Sequence, residues 1–463
     1  MVFSGIPFLY YFLPVVLLLY YLSPKILKNS VLLLASLVFY AWGEPRLIIL
    51  MIITVAQSFA AGILIEKFPK AAKAVMAVSV TLSFLSLGYF KYADFFIGSV
   101  NSLTGLSIPL TKAVLPIGIS FYTFQIASYV VDVWRGDTKA QRNFIDLAMY
   151  ITMFPQLIAG PIVRYSDVEA ELHDRVLTSE GLAYGARRFV LGLSKKLLIA
   201  DVLGVIVADF KSADEKSLLF WWLYAITCTL QIYFDFSGYS DMAIGLGKLL
   251  GFNFPENFDH PFISGSVTEF WRRWHMTLGG WFRDYLYIPL GGNRVSKPRW
   301  IFNIAVVWMA TGLWHGAAWN FVLWGVFFAV FLMIEKLWLL KYLKKSRVLS
   351  HVYVMLLVIV SFVIFDAESV SAAFGAIGSM FGGAATLSDP MALYLLRSNL
   401  FVLIISVIGS TPLPAAVFRK LDKTKAGAKI FSVVEPLGLV ILLAVCTAYM
   451  VDGSYSPFLY FRF

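Results

Sequence analysis

Apolar residues in this chain fall in long unbroken runs, from IPFLYYFLPVVLLLYYL near the start to PLGLVILLAVCTAYMV near the end. Each run approaches the roughly 20 residues that a helix needs to cross a hydrocarbon core. Strands of a membrane barrel would instead alternate apolar and polar positions over roughly ten residues. Helices are the remaining way to satisfy the backbone in lipid. The pattern therefore predicts an all-α, polytopic transmembrane protein of about ten to thirteen helices, some of them re-entrant or interfacial. No internal repeat or soluble segment interrupts it, which predicts one membrane domain over residues 1–463. The first run has no basic stretch before it and no small-residue cleavage site after it, so it reads as a retained helix.

The polar punctuation between the runs orients them. Short loops rich in Lys and Arg prefer the cytoplasmic side. KILKN, EKFPKAAK and WRGDTKAQRN follow alternate runs, which places the N-terminus outside. KLWLLKYLKKSR and FRKLDKTKAGAK repeat the pattern later, so the last helix runs outward and the C-terminus is expected outside as well. Between Tyr150 and Phe220 the count fails, because GARRFVLGLSKKLL mixes basic pairs with apolar stripes as an interfacial or half-buried helix would.

Composition agrees: 59% of the 463 residues are hydrophobic, 14% are charged, and the mean hydropathy is +0.76. The net charge of +10 belongs to the short loops and forms no groove for nucleic acid. Cys228 and Cys446 lie far apart in apolar segments with no metal-type grouping, which points to packing and to neither a disulfide, a metal nor a thiol nucleophile.

Polar groups at membrane depth are costly unless paired, so a cluster of them is a candidate site. Three clusters stand out. In QIYFDFSGYSDMAIGLGKLLGF, the residues Gln231, Asp235, Ser237, Tyr239, Ser240 and Asp241 interrupt a would-be helix, with a break expected at Gly238. Residues 252–300 form a basic, aromatic stretch carrying Arg272, Arg273, Arg283, Arg294 and His275, expected as a re-entrant segment on the cytoplasmic side; an interfacial anchor would share that composition. In TGLWHGAAWNFVLWG, His315 stands between Trp314 and Trp319. Such a histidine can be simple packing, but imidazole is also the side chain suited to proton transfer near neutral pH.

These strings, with LPIGISFYTFQIASYVVDVWRG, FPQLIAGPIVRY and FWRRWHMTLGGWFRDYLYIPLGGNR, resemble the signature of membrane-bound O-acyltransferases, and within them the bacterial branch that acetylates alginate and related polysaccharides. The resemblance covers nearly the whole chain. It implies a helical fold with a path narrowing at an essential histidine, here His315, with His275 in RRWH as a second. The related teichoic-acid D-alanylation enzymes share the histidines, but LYIPLGGNR resembles the acetylating branch more. Within residues 452–463, PFLYFRF is similar to the terminal motif of the small partner protein of the D-alanylation system, which makes Tyr460 a candidate acyl carrier. Phe and Tyr at a membrane boundary also form an aromatic belt.

The expected chemistry is transfer of an acetyl group from a cytosolic thioester, acetyl-CoA or another donor such as an acyl carrier protein, toward an envelope polymer. No cofactor is expected to stay bound. Arg272, Arg273, Arg283 and Arg294 would receive the donor's anionic groups. His315 would act as base on a hydroxyl, either the polymer's or that of Tyr460. Gln231, Asp235, Ser237, Asp241 and Asn320 would line the path, with Asn320, Trp314 and Trp319 the nearest candidate oxyanion donors. A separate extracytoplasmic acetyltransferase is the expected partner and the bacterial plasma (inner) membrane the expected location. A solute transporter or flippase is the alternative from another class, since intramembrane Asp, Gln and His also mark solute paths.

Overall fold

The computed structural model describes residues 2–453 and Phe458. Among them there is helix and loop but no strand, apart from one isolated antiparallel bridge between Phe258 and Trp274. Among the described residues six helices are long and apolar enough to cross a membrane: Lys25–Gly43, Ile48–Lys67, Ala72–Thr104, Trp319–Leu343, Arg347–Asp366 and Lys425–Val451. A seventh span arises if Pro390–Ser398 and Leu400–Gly409, bent by 60°, act as one. The protein is thus a multi-pass membrane protein. Its lipid-facing helices carry rows of exposed Leu, Ile, Val and Phe, as expected where the solvent is hydrocarbon.

The chain divides into two compact units, Met1–Phe189 with Tyr239–Glu256, and Val190–Gly238 with Asn257–Phe463. The core of the first is the helix Ile119–Arg135, nearly all of whose side chains are buried, including Ser120, Thr123, Gln125, Ser128 and Asp132. In the same unit Arg188 holds Asp241 at 2.7 Å and clasps Glu256 with two further hydrogen bonds at 2.8 and 2.6 Å.

The second unit is organised on a tight hairpin of the helices Lys297–His315 and Trp319–Ile334, with Arg347–Asp366 packed on the latter. The turn between the first two needs a residue without a side chain directly after His315. A Cβ on Gly316 would overlap the Phe321 ring. Before the hairpin, the segment around residues 257–287 is broken into short pieces, Val267–Arg273, Met276–Phe282 and the π-turn Arg283–Tyr287.

The break expected at Gly238 is absent: Leu218–Leu249 is one continuous helix of 32 residues. Gly238 answers to packing instead. A Cβ there would lie 2.8 Å from the Gly192 carbonyl oxygen and 3.2 Å from the Lys196 nitrogen, so glycine permits close approach of a neighbouring backbone. The ambiguous stretch of basic pairs resolves into the amphipathic helix Ser179–Ser194 and the π-turn Lys195–Ala200. Lys196 is buried there between Asp201 and Asp235, each 2.7 Å away.

Candidate active site

His315 is the last residue of its helix and is buried. Its ring is walled by Trp314 and Trp324, each with centroid 5.1 Å away, and by Phe365 at 5.4 Å. The ring of His275 lies 6.3 Å from it. The two histidines, 40 positions apart in sequence, are therefore neighbours in one aromatic chamber.

His275 occupies the junction of two short helices with φ of 46° and ψ of 51°, a left-handed conformation unusual for a residue with a side chain. A short antiparallel pairing holds it: Asp259 N–H donates to the Arg273 carbonyl at 2.9 Å and Met276 N–H to the Asn257 carbonyl at 3.0 Å. This pairing sets Asn257 beside the imidazole, with Asn257 Oδ1 3.1 Å from His275 Nδ1. His275 Nε2 is buried with no hydrogen-bond partner among the described residues. Burial, with His315 nearby, keeps this imidazole neutral, its pKa well below the ordinary histidine range.

A cavity of 530 Å³ reaches His275 from one side, a size within the roughly 300–1,000 Å³ typical of small-molecule sites. Trp271, Trp308, Thr311 and Phe282 line its body; Arg272, Arg283 and Lys336 bring positive charge to it. Of the two imidazoles, His275 lines it and His315 does not.

The other expected site residues separate into groups. Arg273 is tied to Asp259 at 2.8 Å and Glu269 at 3.1 Å and does not line the cavity; Arg294 is exposed and outside it. Asp235 is held by buried Lys196, and Asp241, in the other compact unit, by Arg188. Both carboxylates are in ion pairs and do not line the cavity. Gln231 and Ser237 are buried outside the lining, with Gln231 Nε2 occupying the space in front of Gly204. The Asn320 amide donates to the Phe365 carbonyl at 3.1 Å and so is committed to the end of the Arg347–Asp366 helix. Trp319 is 54% exposed. The indole N–H groups of Trp271 and Trp324, by contrast, are buried without an acceptor among the described residues. Cys228 and Cys446 are both buried free thiols. Tyr460 lies outside the described residues.

Three contributors escape a reading by motif. Lys336 joins the cavity from a distant helix. Asn257, inside the quoted ENFDHPF, orients His275. Glu335 is fully buried, and its carboxylate accepts from Val267 N–H at 2.6 Å, Thr268 N–H at 3.0 Å and the Thr268 hydroxyl at 3.0 Å. It thereby caps the short helix that carries Trp271 and Arg272 and leads to His275. A lone carboxylate closing the run FVLWGVFFAVFLMIEK was the available signal.

Known proteins are similar to this chain in sequence. The family model described as MBOAT, membrane-bound O-acyltransferase family, matches residues 139–370, a span that contains both histidines, Asn257 and Glu335. A probable alginate O-acetylase AlgI of Azotobacter vinelandii is 39% identical over the full length of both chains. A peptidoglycan O-acetyltransferase of Helicobacter pylori is 34% identical, covering 71% of this chain and 69% of that one. A teichoic acid D-alanyltransferase of Bacillus subtilis is 30% identical over 46% of this chain and 57% of its own length. A multi-pass helical protein matched by this family model over half of its residues, and by a probable alginate O-acetylase along its whole length, is an acyltransferase: the chain belongs to the membrane-bound O-acyltransferase family.

Proposed function

We propose that this protein acetylates a cell-envelope polysaccharide from the bacterial inner membrane, drawing on a cytosolic acyl thioester, with both chain termini outside. The observation that carries the reading is the pair of buried imidazoles 6.3 Å apart, one of which lines a cavity that Arg272, Arg283 and Lys336 also line. Their charges suit the phosphates of acetyl-CoA or of a carrier-borne thioester. The apolar walls suit an uncharged acyl chain and exclude water, which would otherwise hydrolyse it.

In the reaction His315 takes the proton of an acceptor hydroxyl. The oxygen attacks the thioester carbonyl, the C–O bond forms, and the C–S bond breaks as the thiolate leaves and is protonated. The unengaged indole N–H groups of Trp324 and Trp271 are better suited to the developing oxyanion than Asn320, whose donor is already used. The acceptor is either the polymer or the Tyr460 phenol, the latter handing its ester to an extracytoplasmic acetyltransferase. Acetyl is preferred over D-alanyl as cargo because the two acetyltransferase relatives match 100% and 71% of the chain, against 46% for the D-alanyltransferase.

The test is His315→Ala and His275→Ala in the producing cell, with alkali-released acetate of the envelope polymer measured beside the membrane level of the protein. Loss of ester at normal protein level is expected; wild-type ester content in both variants removes the assignment. Tyr460→Phe separates the acceptor routes, since full activity there rules out the phenol as an intermediate.

A further inference from the structure

The contacts of Asn257 decide which nitrogen of His275 carries its proton. Asn257 Oδ1 receives the Thr277 backbone N–H at 3.3 Å and the Thr277 hydroxyl at 2.8 Å. A backbone N–H can only donate, so the atom facing it must be the amide oxygen, which fixes the orientation of the amide. That same oxygen lies 3.1 Å from His275 Nδ1, and an oxygen acceptor there requires Nδ1–H. In a neutral imidazole the other nitrogen then holds a bare lone pair. His275 Nε2 is this atom, buried and without a partner among the described residues, on a residue that lines the cavity.

We propose that Asn257 is a positioning residue that locks His275 in the Nδ1–H form, so that Nε2 serves as the proton acceptor between His315 and the cavity. The inference rests on the acyltransfer reading above and deepens it. The hydroxyl proton taken by His315 passes through a bridging water or hydroxyl to His275 Nε2, since rings with centroids 6.3 Å apart cannot hydrogen-bond directly, and then to the sulfur of the leaving thiolate, so that the proton lost on the acceptor side is returned on the donor side. Division of labour follows from placement: His275 lines the cavity, and His315, with its ring 6.3 Å from that of His275, does not.

The surroundings leave the lock to Asn257. Arg272, Arg283 and Lys336 line the cavity, Arg283 being engaged by Asp284 at 2.7 Å. Arg273 is held by Asp259 and Glu269. Asp235, one residue before the Phe236 ring that packs 4.7 Å from the imidazole, is held by Lys196. Glu335 is engaged by the backbone of Val267 and Thr268; His315 is a further titratable neighbour, and Tyr287 lines the same cavity.

Nitrogen-15 NMR of the purified full-length protein labelled at histidine tests this without any substrate. The chain has only five histidines, so the His275 resonances can be assigned by their loss in His275→Gln. The wild type should show a protonated Nδ1 and a bare Nε2; a protonated Nε2 at His275 overturns the proposal. Asn257→Ala should give a mixture of tautomers and cut turnover on the order of 10²-fold. Asn257→Asp keeps an acceptor, adds negative charge that stabilises the imidazolium, and should move the His275 titration to higher pH by about one unit. If Asn257→Ala does not fold, the wild-type spectrum and Asn257→Asp still decide. Variant spectra and titrations identical to wild type sink the role of Asn257 while leaving the acyltransfer reading intact. Full activity in His275→Ala alone would sink the relay through His275, and only full activity in His315→Ala as well would strike the reading itself.

Discussion

Two buried polar clusters in the same compact unit are built on opposite rules. Around Lys196, the ammonium group lies 2.7 Å from each of two carboxylates, Asp201 and Asp235, and all three side chains are withdrawn from solvent. Around His275 and His315 the walls are aromatic, formed by Phe236, Trp314, Trp324 and Phe365. There His275 Nε2, Trp271 Nε1 and Trp324 Nε1 are buried without partners among the described residues. Buried polar atoms are ordinarily satisfied. A cluster whose charges answer one another is architecture; one that keeps donors and acceptors open is waiting for a reactant to complete it.

Substitutions can break this contrast. The largest effect is expected at the histidines: His315→Ala should lower acyl transfer by on the order of 10²–10⁴-fold while leaving the thermal unfolding midpoint close to wild type, measured by light scattering of the purified protein. Lys196→Met should do the reverse. It leaves two buried carboxylates facing each other, at a cost of about 3–5 kcal/mol, and the protein should fail to accumulate in membranes, with activity falling only in proportion to its amount. If Lys196→Met is well folded but inactive, the ion cluster belongs to the chemistry and the contrast collapses.

Glu335→Gln sharpens the comparison because Glu335 stands between the two classes, a satisfied carboxylate that serves the site. The amide NH₂ of Gln would face backbone N–H donors, so the capped helix should shift. Turnover should fall by about tenfold with the donor KM little changed, a split that steady-state kinetics resolves. The smallest effect is expected at Arg294, exposed and outside the cavity, where Ala should leave the donor KM unchanged within error; a raised KM would bring the loop after Tyr287 into the donor site.

Much of this was legible in the residues. Unbroken apolar runs announce spanning helices, and GLWHG and RRWH single out the two histidines that the fold brings together. Pairings across long separations were not legible. Nothing local in QIYFDFSGYSDM says that Asp235 will meet Lys196 and Asp241 will meet Arg188, so both read as candidates for an open polar path. Gly238 misled for a related reason. Glycine marks a break when judged by its own helix, whereas here its missing side chain admits another helix. Asn320 looked available because the carbonyl that engages it lies 45 positions away.

On the proposed role of His275, its left-handed backbone sets stability against function at a single position. A side chain at that φ costs of order 1–3 kcal/mol, and glycine or asparagine would relieve part of it. Any campaign that selects variants of this enzyme for heat resistance alone should therefore drift toward Gly or Asn at position 275 and harvest sturdier proteins that no longer turn over.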